Sequence, residues 1–575
     1  MALRYNPPRH ELRGAAREHL AGPARRACAL ATRARRVSRQ RARHLARDDA
    51  VSELAREYRI AAGETVAIIG NPCPEWTIAD LAAQALGAIT YGIYPTNAPG
   101  EVRHLIQHGG ASLIVVEDQE HLDKTLEVLD QCPDVRAVLV IDTRALFMYR
   151  HPRVRPLAEV ERAGQAMAAE RDVLDRYVRA LSPDAPATII YTSGTTGHPK
   201  GAVYRHGPHL AACANIIEHY PILKAREHRA VAMLPLCHAM GRNLAITMPL
   251  LADIVPHYPE SVDTFADALF EIQPTFVFTV PRYLQKFAAH LLVGLDQSSW
   301  IKRAAYRAAM GVGRRALDQR WSRAGRGRSV PAALAGACVF RWLLEKVGFA
   351  RVELVVSSGA PLPAAVAALW QAWGVNVCEA YGQTETGGAL VSGQRGPYPR
   401  PGDVGEWTAA GSLKLVDRKR DILITAGGKN VSPSLVENRL RASPYISDAA
   451  VFGEARKYLV ALLEADGETV AEWAREHGVV HTGYASLVAH PDVVALIEGE
   501  VRRANDDLTR VEQVKAFRLL PRELDPEMEG EPVTPTRKVK RRLMAERYGA
   551  LVESMYGNDE ERRIEAEVAT GRAFL

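Results

Sequence analysis

The sequence predicts an α/β fold in which parallel strands are flanked by helices. Short apolar runs that end in turn residues, such as 66–70, alternate with amphipathic stretches, such as 75–86. This alternation is typical of a parallel sheet whose crossover connections are helices. The chain has 575 residues, more than a single compact core accommodates. We therefore expect a large multi-lobed body and at least one separate smaller domain.

Further strands are predicted along the chain by the same criterion. They lie at 89–93 and 112–116, with a helical stretch between them, and the alternation returns at 230–234, 275–280 and 352–356. Ligands of such sheets bind beyond the carboxyl ends of the strands. The glycine-rich loops that directly follow strands are therefore where we expect the chemistry.

The distribution of charge argues against nucleic-acid binding. The formal net charge is +6, but residues 1–50 carry thirteen arginines against four acidic residues, which is +9 and leaves −3 for the rest of the chain. Composition favours a poorly ordered Arg-rich leader over 1–50. The alternative is a segment that binds an anionic membrane surface or directs the chain to an organelle.

The apolar residues and the cysteines indicate the cellular compartment in which the chain would reside. No apolar stretch is long enough to predict a membrane-spanning helix. The seven cysteines are scattered singly, without a CxxC pair, so we expect neither a disulfide framework nor a zinc site. A cytoplasmic location, with possible peripheral contact with a membrane, fits this usage.

The most informative stretch is 188–201, a strand that runs directly into a loop of hydroxyl residues, glycines and one lysine, Lys200. Glycine permits close approach of the backbone to phosphate, while hydroxyl groups, N–H groups and the ammonium group bind phosphate oxygens. The spacing of Gly194 and Lys200 does not match a Walker A motif. A purely structural polar turn is the alternative reading of the composition.

The full string YTSGTTGHPKG, at 191–201, resembles the signature phosphate loop of the adenylate-forming, or AMP-binding, superfamily. Further strings resemble the motifs of this family in its order: LPLCHAMG at 234–241, SSGAP at 357–361, EAYGQTE at 379–385 and LVDRKRD at 415–421. Near the end, the string TPTRKVKRR is similar to the version of the catalytic-lysine motif found in long-chain fatty acyl-CoA synthetases.

The resemblance implies a set of site residues. The ATP- and AMP-binding residues would be Thr192, Ser193, Gly194, Thr195, Thr196, Gly197, Ser358, Gly359, Ala360, Pro361, Tyr381, Gly382, Gln383, Thr384, Asp403 and Arg418. Thr192 and Glu385 would hold Mg²⁺, for which oxygen ligands are suited. Lys538, Lys200 and Thr384 would be catalytic. Without the upstream motifs, a solvated basic run would be the preferred interpretation of the residues around Lys538.

The remaining roles follow from the same resemblance. His238 would border the acyl pocket, although a lone histidine is usually a packed one. Asp417 and Lys419 would belong to the hinge, and Gly427, Gly428 and Lys429 would lie on the coenzyme A side.

The implied architecture has a leader at 1–50, an N-terminal AMP-binding domain at 51–416, a hinge at 417–421 and a small, mobile α+β domain at 422–575. Only seventeen residues separate Glu385 from Asp403, where the family carries a longer segment. A third lobe, a small β-barrel in the family, is therefore predicted to be truncated.

The implied activity is that of an ATP-dependent acyl-CoA ligase. Such an enzyme adenylates a carboxylic acid, here a fatty and long-chain one, and transfers the acyl group to coenzyme A. The alternatives are an acyl-AMP ligase that loads a carrier protein and a degenerate relative that binds nucleotide without turnover. The expected partners are the acid, ATP and coenzyme A. The sequence gives no indication of the oligomeric state.

Overall fold

A computed structural model describes residues 58–557, except 167–176, 178, 193–198, 262–263, 322–329, 387–402, 408–412, 419–421, 427–428, 529 and 536. The described chain forms two compact units. The first contains the residues up to Thr279 together with 341–356 and 381–386. The second contains 280–340, 357–380 and the described residues from 403 onward.

A seven-stranded sheet organises the first unit. Its strand order is β5-β4-β3-β1-β2-β6-β7, and all neighbours are parallel except the antiparallel pair β6–β7. The strands are β1 Thr65–Ile69, β2 Ile89–Ile93, β3 Ala111–Val116, β4 Ala137–Val140, β5 Val154–Pro156, β6 Pro186–Thr192 and β7 Lys200–Arg205. The first helices are α1 Pro74–Ala85, α2 Pro99–Gly109, α3 Gln119–Leu129 and α4 Leu157–Ala166.

Both faces of this sheet are buried, because alternate residues of β1 enter different cores. Val66 and Ile68 pack in one apolar cluster with Trp76, whereas Ala67 and Ile69 pack in another. A strand that is covered on both faces reads as a continuous apolar run. This confirms the prediction of a parallel sheet flanked by helices.

The rest of the first unit contains two short parallel strands, β8 His228–Val231 and β9 Ile254–His257, which pair with each other. Two further strands follow, β10 Phe276–Thr279 and β11 Leu354–Ser357, the latter ending at the unit boundary. The helices are α5 His206–His219, α6 Ile222–Ala225, α7 Ala239–Arg242, the π-helix Asn243–Thr247, the 3₁₀ turn Met248–Leu250, α8 Phe265–Ile272 and α12 Arg341–Glu345.

The second unit begins with helices α9 Pro281–Asp296, α10 Trp300–Trp321, α11 Val330–Ala335, the π-helix Gly336–Phe340 and α13 Ala364–Ala372. Strand β12 Val377–Glu379 follows, and β13 Asp403–Trp407 pairs antiparallel with β14 Leu413–Arg418. The described part of the predicted truncated lobe is this two-stranded ribbon. That agrees with the short spacing between Glu385 and Asp403.

The last part of the second unit is α+β. Strands β15 Leu423–Ile424 and β16 Asn430–Val431 form a small hairpin, and β17 Ile446–Phe452, β18 Leu459–Ala465 and β19 Val514–Leu519 form a mixed sheet. The helices are α14 Pro433–Leu440, α15 Gly467–Glu476, α16 Tyr484–Val488, α17 Pro491–Asp506 and α18 Arg541–Ser554. None of the helices described combines the length and apolarity needed to cross a bilayer.

Candidate active site

The predicted phosphate loop joins the two strands of an antiparallel hairpin. Strand β6 ends at Thr192 and β7 begins at Lys200, and these two residues are register partners. The Thr192 hydroxyl donates to the Lys200 carbonyl at 3.4 Å, and the Lys200 side chain is exposed. Ser193, Gly194, Thr195, Thr196 and Gly197 lie outside the described residues. The hairpin therefore fixes both ends of the loop.

Gly201 allows the two strands of this hairpin to approach closely. A Cβ atom at this position would lie 2.6 Å from Cγ2 of Ile189, on the neighbouring strand. Contacts that short do not occur between real side chains, so any larger residue would displace β7. Because Lys200 directly precedes Gly201, such a displacement would move the lysine.

The acidic motif follows in the same unit. Thr384–Thr386 form a 3₁₀ turn, in which the Thr386 hydroxyl donates to the Gln383 carbonyl at 2.9 Å. The Gln383 amide also donates to the Tyr381 hydroxyl at 3.3 Å. Tyr381, Gly382, Gln383 and Thr384 are partly buried, while Glu385 is exposed. The hydrogen bonds hold the turn in place, and the Glu385 carboxylate lies at its exposed surface.

Tyr204 connects the hairpin to the acidic motif. Its hydroxyl donates to the backbone carbonyl of Thr384 at 2.6 Å, across 180 residues of sequence. Burial raises the pKa of Tyr204 above its usual range, and the charge of Glu385 contributes to this shift. The phenol is therefore a protonated donor at neutral pH. Sequence reasoning missed this residue, because nothing in the motif string marks a tyrosine that bonds so distant a carbonyl.

A buried polar network lies behind Tyr204. The rings of Tyr204 and His209 meet edge to face, with centroids 4.9 Å apart, and Nε2 of His209 lies 2.7 Å from Oδ1 of Asn243. Asn243 follows Arg242, whose guanidinium donates to both carboxylate oxygens of Asp80 at 2.9 and 2.6 Å. The pair is almost fully enclosed. The ion pair between Arg242 and Asp80 therefore ties α7 to α1.

Two histidines beside this network are held neutral. Burial, followed by the charge of Arg242, lowers the pKa of both His206 and His209 to about 4. Nε2 of His206 is buried and has no hydrogen-bond partner among the described residues. Both side chains are therefore neutral rings at physiological pH.

His238 is the N-cap residue of the short helix α7. Its Nδ1 accepts a hydrogen bond from the backbone N–H of Met240 at 3.2 Å, and the side chain is partly buried. Gly241 packs so closely that a Cβ there would lie 2.2 Å from the Pro235 carbonyl oxygen. The histidine thus has a structural capping role, and its role at an acyl pocket stays a prediction.

The predicted adenine turn lies in the second unit. Gly359 has a φ of +88°, which only glycine adopts without strain. The N–H of Leu362 donates to Glu379 Oε1 at 2.8 Å, and the N–H of Ala380 donates to the Ser357 carbonyl at 2.8 Å. Ser358 is buried, whereas Gly359, Ala360 and Pro361 expose their surface. These two hydrogen bonds hold the backbone around the turn and leave residues 359–361 exposed.

The two predicted ribose ligands lie on paired strands of the second unit. Asp403 in β13 is the register partner of Arg418 in β14, and Val404 pairs with Asp417. The resemblance to the family suggested Asp403, and the backbone pairing places it directly opposite Arg418. Lys419, Gly427 and Gly428 lie outside the described residues. Lys429 is exposed, and its N–H donates to the Thr425 hydroxyl at 3.3 Å.

Lys538 lies in a tight turn of the second unit, closed by an antiparallel bridge between Val533 and Val539. Its N–H donates to the Thr534 hydroxyl at 2.9 Å, and its carbonyl accepts from the Thr534 N–H at 2.9 Å. The preceding Arg537 has a φ of +56° and reaches Glu464 and the Leu524 carbonyl. The backbone is therefore anchored while the Lys538 side chain is exposed.

Fold and site together define the class of protein. The profile described as AMP-binding enzyme matches residues 26–428, and that of the AMP-binding enzyme C-terminal domain matches residues 420–560. The chain therefore belongs to the AMP-binding enzyme family, which confirms the resemblance seen in the motifs. The two profiles overlap at 420–428, which begins within the predicted hinge at 417–421; the division into domains at that point stays a prediction.

Two relatives with names are similar to this chain over most of its length. The chain is 28% identical over 556 residues to the long-chain-fatty-acid--CoA ligase FadD15 of Mycobacterium bovis, covering 87% of this chain and 89% of that protein. It is 26% identical over 570 residues to the long-chain-fatty-acid--CoA ligase ACSBG2 of Xenopus laevis, covering 85% and 76%.

A solved structure supports the fold. The A-PCP didomain of carboxylic acid reductase from Segniliparus rugosus, in complex with AMP, matches with a TM-score of 0.63 and 21% identity, covering 91% of this chain and 76% of that one. At this identity, the likeness shows the fold alone.

Proposed function

We propose that this protein is an ATP-dependent acyl-CoA ligase that adenylates a long-chain fatty acid and transfers the acyl group to coenzyme A. One observation carries the proposal. The Tyr204 hydroxyl joins the phosphate-loop hairpin to the turn that presents Glu385. Hydroxyl groups, a lysine and a carboxylate in one braced unit suit a magnesium-bound polyphosphate. The names of the relatives supply the long-chain acid and coenzyme A.

The first step is an in-line attack of the substrate carboxylate on the α-phosphorus of ATP, which expels pyrophosphate and forms acyl-AMP. Lys200 and the loop hydroxyls would bind the phosphates, and Thr384 would contact the α-phosphate. Mg²⁺ held by Glu385 and Thr192 would neutralise charge on the phosphates. The exposed ammonium group of Lys538 would stabilise the charge that develops between carboxylate and phosphorus.

In the second step, the thiol of coenzyme A attacks the acyl carbonyl and expels AMP. Asp403 and Arg418, as paired residues of β13 and β14, would hold the ribose through both steps. The resemblance assigns 417–421 to a hinge that moves Lys538 away and opens a path for coenzyme A, near Lys429.

The free thiols of the described cysteines fit a reducing cytoplasm.

The deciding experiment measures the two steps separately. Purified protein is incubated with ATP, Mg²⁺ and palmitate, with and without coenzyme A, and pyrophosphate release and thiol consumption are followed. We expect pyrophosphate release and loss of free thiol. Release of pyrophosphate without thiol consumption, with acyl transfer to a carrier protein, would establish the acyl-AMP ligase alternative. Absence of pyrophosphate release with a whole panel of acids would support the alternative of a nucleotide-binding relative without turnover.

The role of Lys538 has a matched control in the same basic run. We expect Lys538→Ala to abolish adenylation while it largely retains thioester formation from preformed acyl-AMP, because the ammonium group acts only on the first transition state. Lys540→Ala removes an equal charge two residues away and should retain both steps. Equal loss of both steps in Lys538→Ala, or equal effects of the two variants, contradicts the assignment.

A further inference from the structure

Helix α10, Trp300–Trp321, has one face against which no other described part of the chain packs. Its inner face packs within the second unit, where a Cβ at Gly313 would lie 2.5 Å from the Ala372 carbonyl oxygen and where Leu317 is buried. Trp300 and Ile301, at its beginning, are 71% and 60% exposed. Large apolar side chains that are this exposed, and adjacent, are unusual on a surface that faces only water.

The exposed face of α10 is strongly basic. Five cations of the helix have exposed side chains: Lys302, Arg303, Arg307, Arg314 and Arg315. Asp318 is the one exposed acid of the helix when Arg320 and Trp321, whose side chains the structure does not describe, are left aside. Within the described part of the chain, none of these cations forms an ion pair; Arg303 donates to the backbone carbonyl of Asp296 at 2.7 Å. No acid in direct contact therefore balances the positive charge of this face within the described residues, whereas the chain beyond the leader is near neutral.

Stability of the helix does not explain this pattern. Lys302 and Arg303 lie in the first turn, where the helix dipole disfavours cations. Arg303 and Arg307 are four residues apart and repel each other. An anionic surface that lies against this face would offset both effects, because its negative charge attracts each of these cations.

Trp300 and three of the basic residues also share one side of the helix. Trp300, Arg303, Arg307 and Arg314 follow each other at intervals of three, four and seven residues, which places them in one line along an α-helix. A tryptophan in line with arginines is the combination found where helices lie in the headgroup region of a bilayer. A binding site for a purely polar anion would not need the exposed Trp300 and Ile301.

We propose that this face of α10 docks the protein onto an anionic lipid surface, with Trp300 and Ile301 inserted among the headgroups and the arginines bound to lipid phosphates. The inference is compatible with the proposed function, because a long-chain acid resides in lipid. It does not depend on that function, since docking requires neither ATP nor coenzyme A. Failure of catalysis and failure of docking are therefore separate results.

The test is sedimentation of the full-length protein with vesicles. Vesicles of phosphatidylcholine alone are compared with vesicles that also contain phosphatidylglycerol, at low and high salt. The docking variant is Arg303→Gln/Arg307→Gln/Arg314→Gln, and Trp300→Ser tests the apolar part. The matched control is Arg33→Gln/Arg35→Gln/Arg36→Gln, which removes the same charge from the Arg-rich leader. Circular dichroism establishes that each variant is folded.

We expect wild-type protein to bind the anionic vesicles and to be released by salt. The triple variant in α10 should bind at least tenfold more weakly and Trp300→Ser several-fold more weakly, while the leader variant binds like wild type. Three results would overturn the proposal: no binding to anionic vesicles, equal binding to neutral vesicles, or loss of binding in the leader variant with retention in both α10 variants. Should the triple variant fail to fold, Trp300→Ser alone decides.

Discussion

The hydrogen bond from Tyr204 to Thr384 can be removed with little change in shape. Tyr204→Phe deletes only the hydroxyl that donates to the Thr384 carbonyl at 2.6 Å. A hydrogen bond of this kind contributes about 1 kcal/mol, and leaving a fully buried partner unsatisfied costs about 1–3 kcal/mol, with less for the partly buried carbonyl of Thr384. If this bond holds Thr384 and Glu385 in position for the transition state, a loss of about 1–2 kcal/mol corresponds to a reduction of roughly 5- to 30-fold in rate.

The assay is pyrophosphate release with saturating acid and ATP, titrated with Mg²⁺. We expect Tyr204→Phe to lower kcat for adenylation and to raise the Mg²⁺ concentration at half-maximal rate, because the carboxylate of Glu385 is less well positioned. A matched control is Tyr458→Phe, which also removes a phenol that donates to a backbone carbonyl, that of Met555, at 2.8 Å. This control should lose a similar amount of stability and retain the Mg²⁺ response.

The outcome that would refute this reasoning is specific. If Tyr204→Phe and Tyr458→Phe lower the free energy of unfolding equally, and neither changes kcat or the Mg²⁺ dependence, then Tyr204 is only a structural residue. The Glu385 turn would then be positioned by its own hydrogen bonds, such as that between Thr386 and Gln383.

Two further predictions concern the network behind Tyr204. Arg242→Met should lower the free energy of unfolding in urea by about 3–5 kcal/mol, because it leaves the Asp80 carboxylate buried and unpaired. The double variant Arg242→Met/Asp80→Leu should regain most of this free energy. Equal free energies of unfolding for the two variants would argue against the pair. His206 and His209, with pKa values of about 4 when folded against about 6.5 when unfolded, contribute stability that is complete above about pH 6.5. It is lost as the pH falls toward 4, by up to about 3 kcal/mol for each histidine. His209→Gln should flatten the fall between pH 7 and pH 5; an unchanged slope would contradict the assignment.

Much of the fold follows from short-range pattern. The apolar runs at 66–70, 89–93 and 112–116 predicted β1, β2 and β3, because strands that are buried on both faces cannot alternate with polar residues. The sequence also predicted that a strand runs directly into the phosphate loop. It placed Lys200 within that loop, whereas the structure has Lys200 as the first residue of β7.

Other predicted features depend on residues that the structure does not describe or on roles that geometry alone leaves open. The loop from Ser193 to Gly197, and the hinge residue Lys419, remain predictions from the resemblance. His238 illustrates the second case. Its motif suggested an acyl pocket, and the structure shows that its Nδ1 caps the helix α7, a local interaction that a motif string does not distinguish from ligand contact.

The sequence by itself determined the family, the order of the motifs and the residue types that suit phosphate, magnesium and a developing negative charge, because each of these lies within a short string. Only the tertiary structure decided which distant residues brace these strings. Tyr204 bonds Thr384 across 180 residues, and Arg242 pairs with Asp80 across 162. The pairing of β13 with β14 likewise placed Asp403 opposite Arg418. Such partners are selected by packing, and their separation along the chain leaves no periodic signal for a sequence to carry.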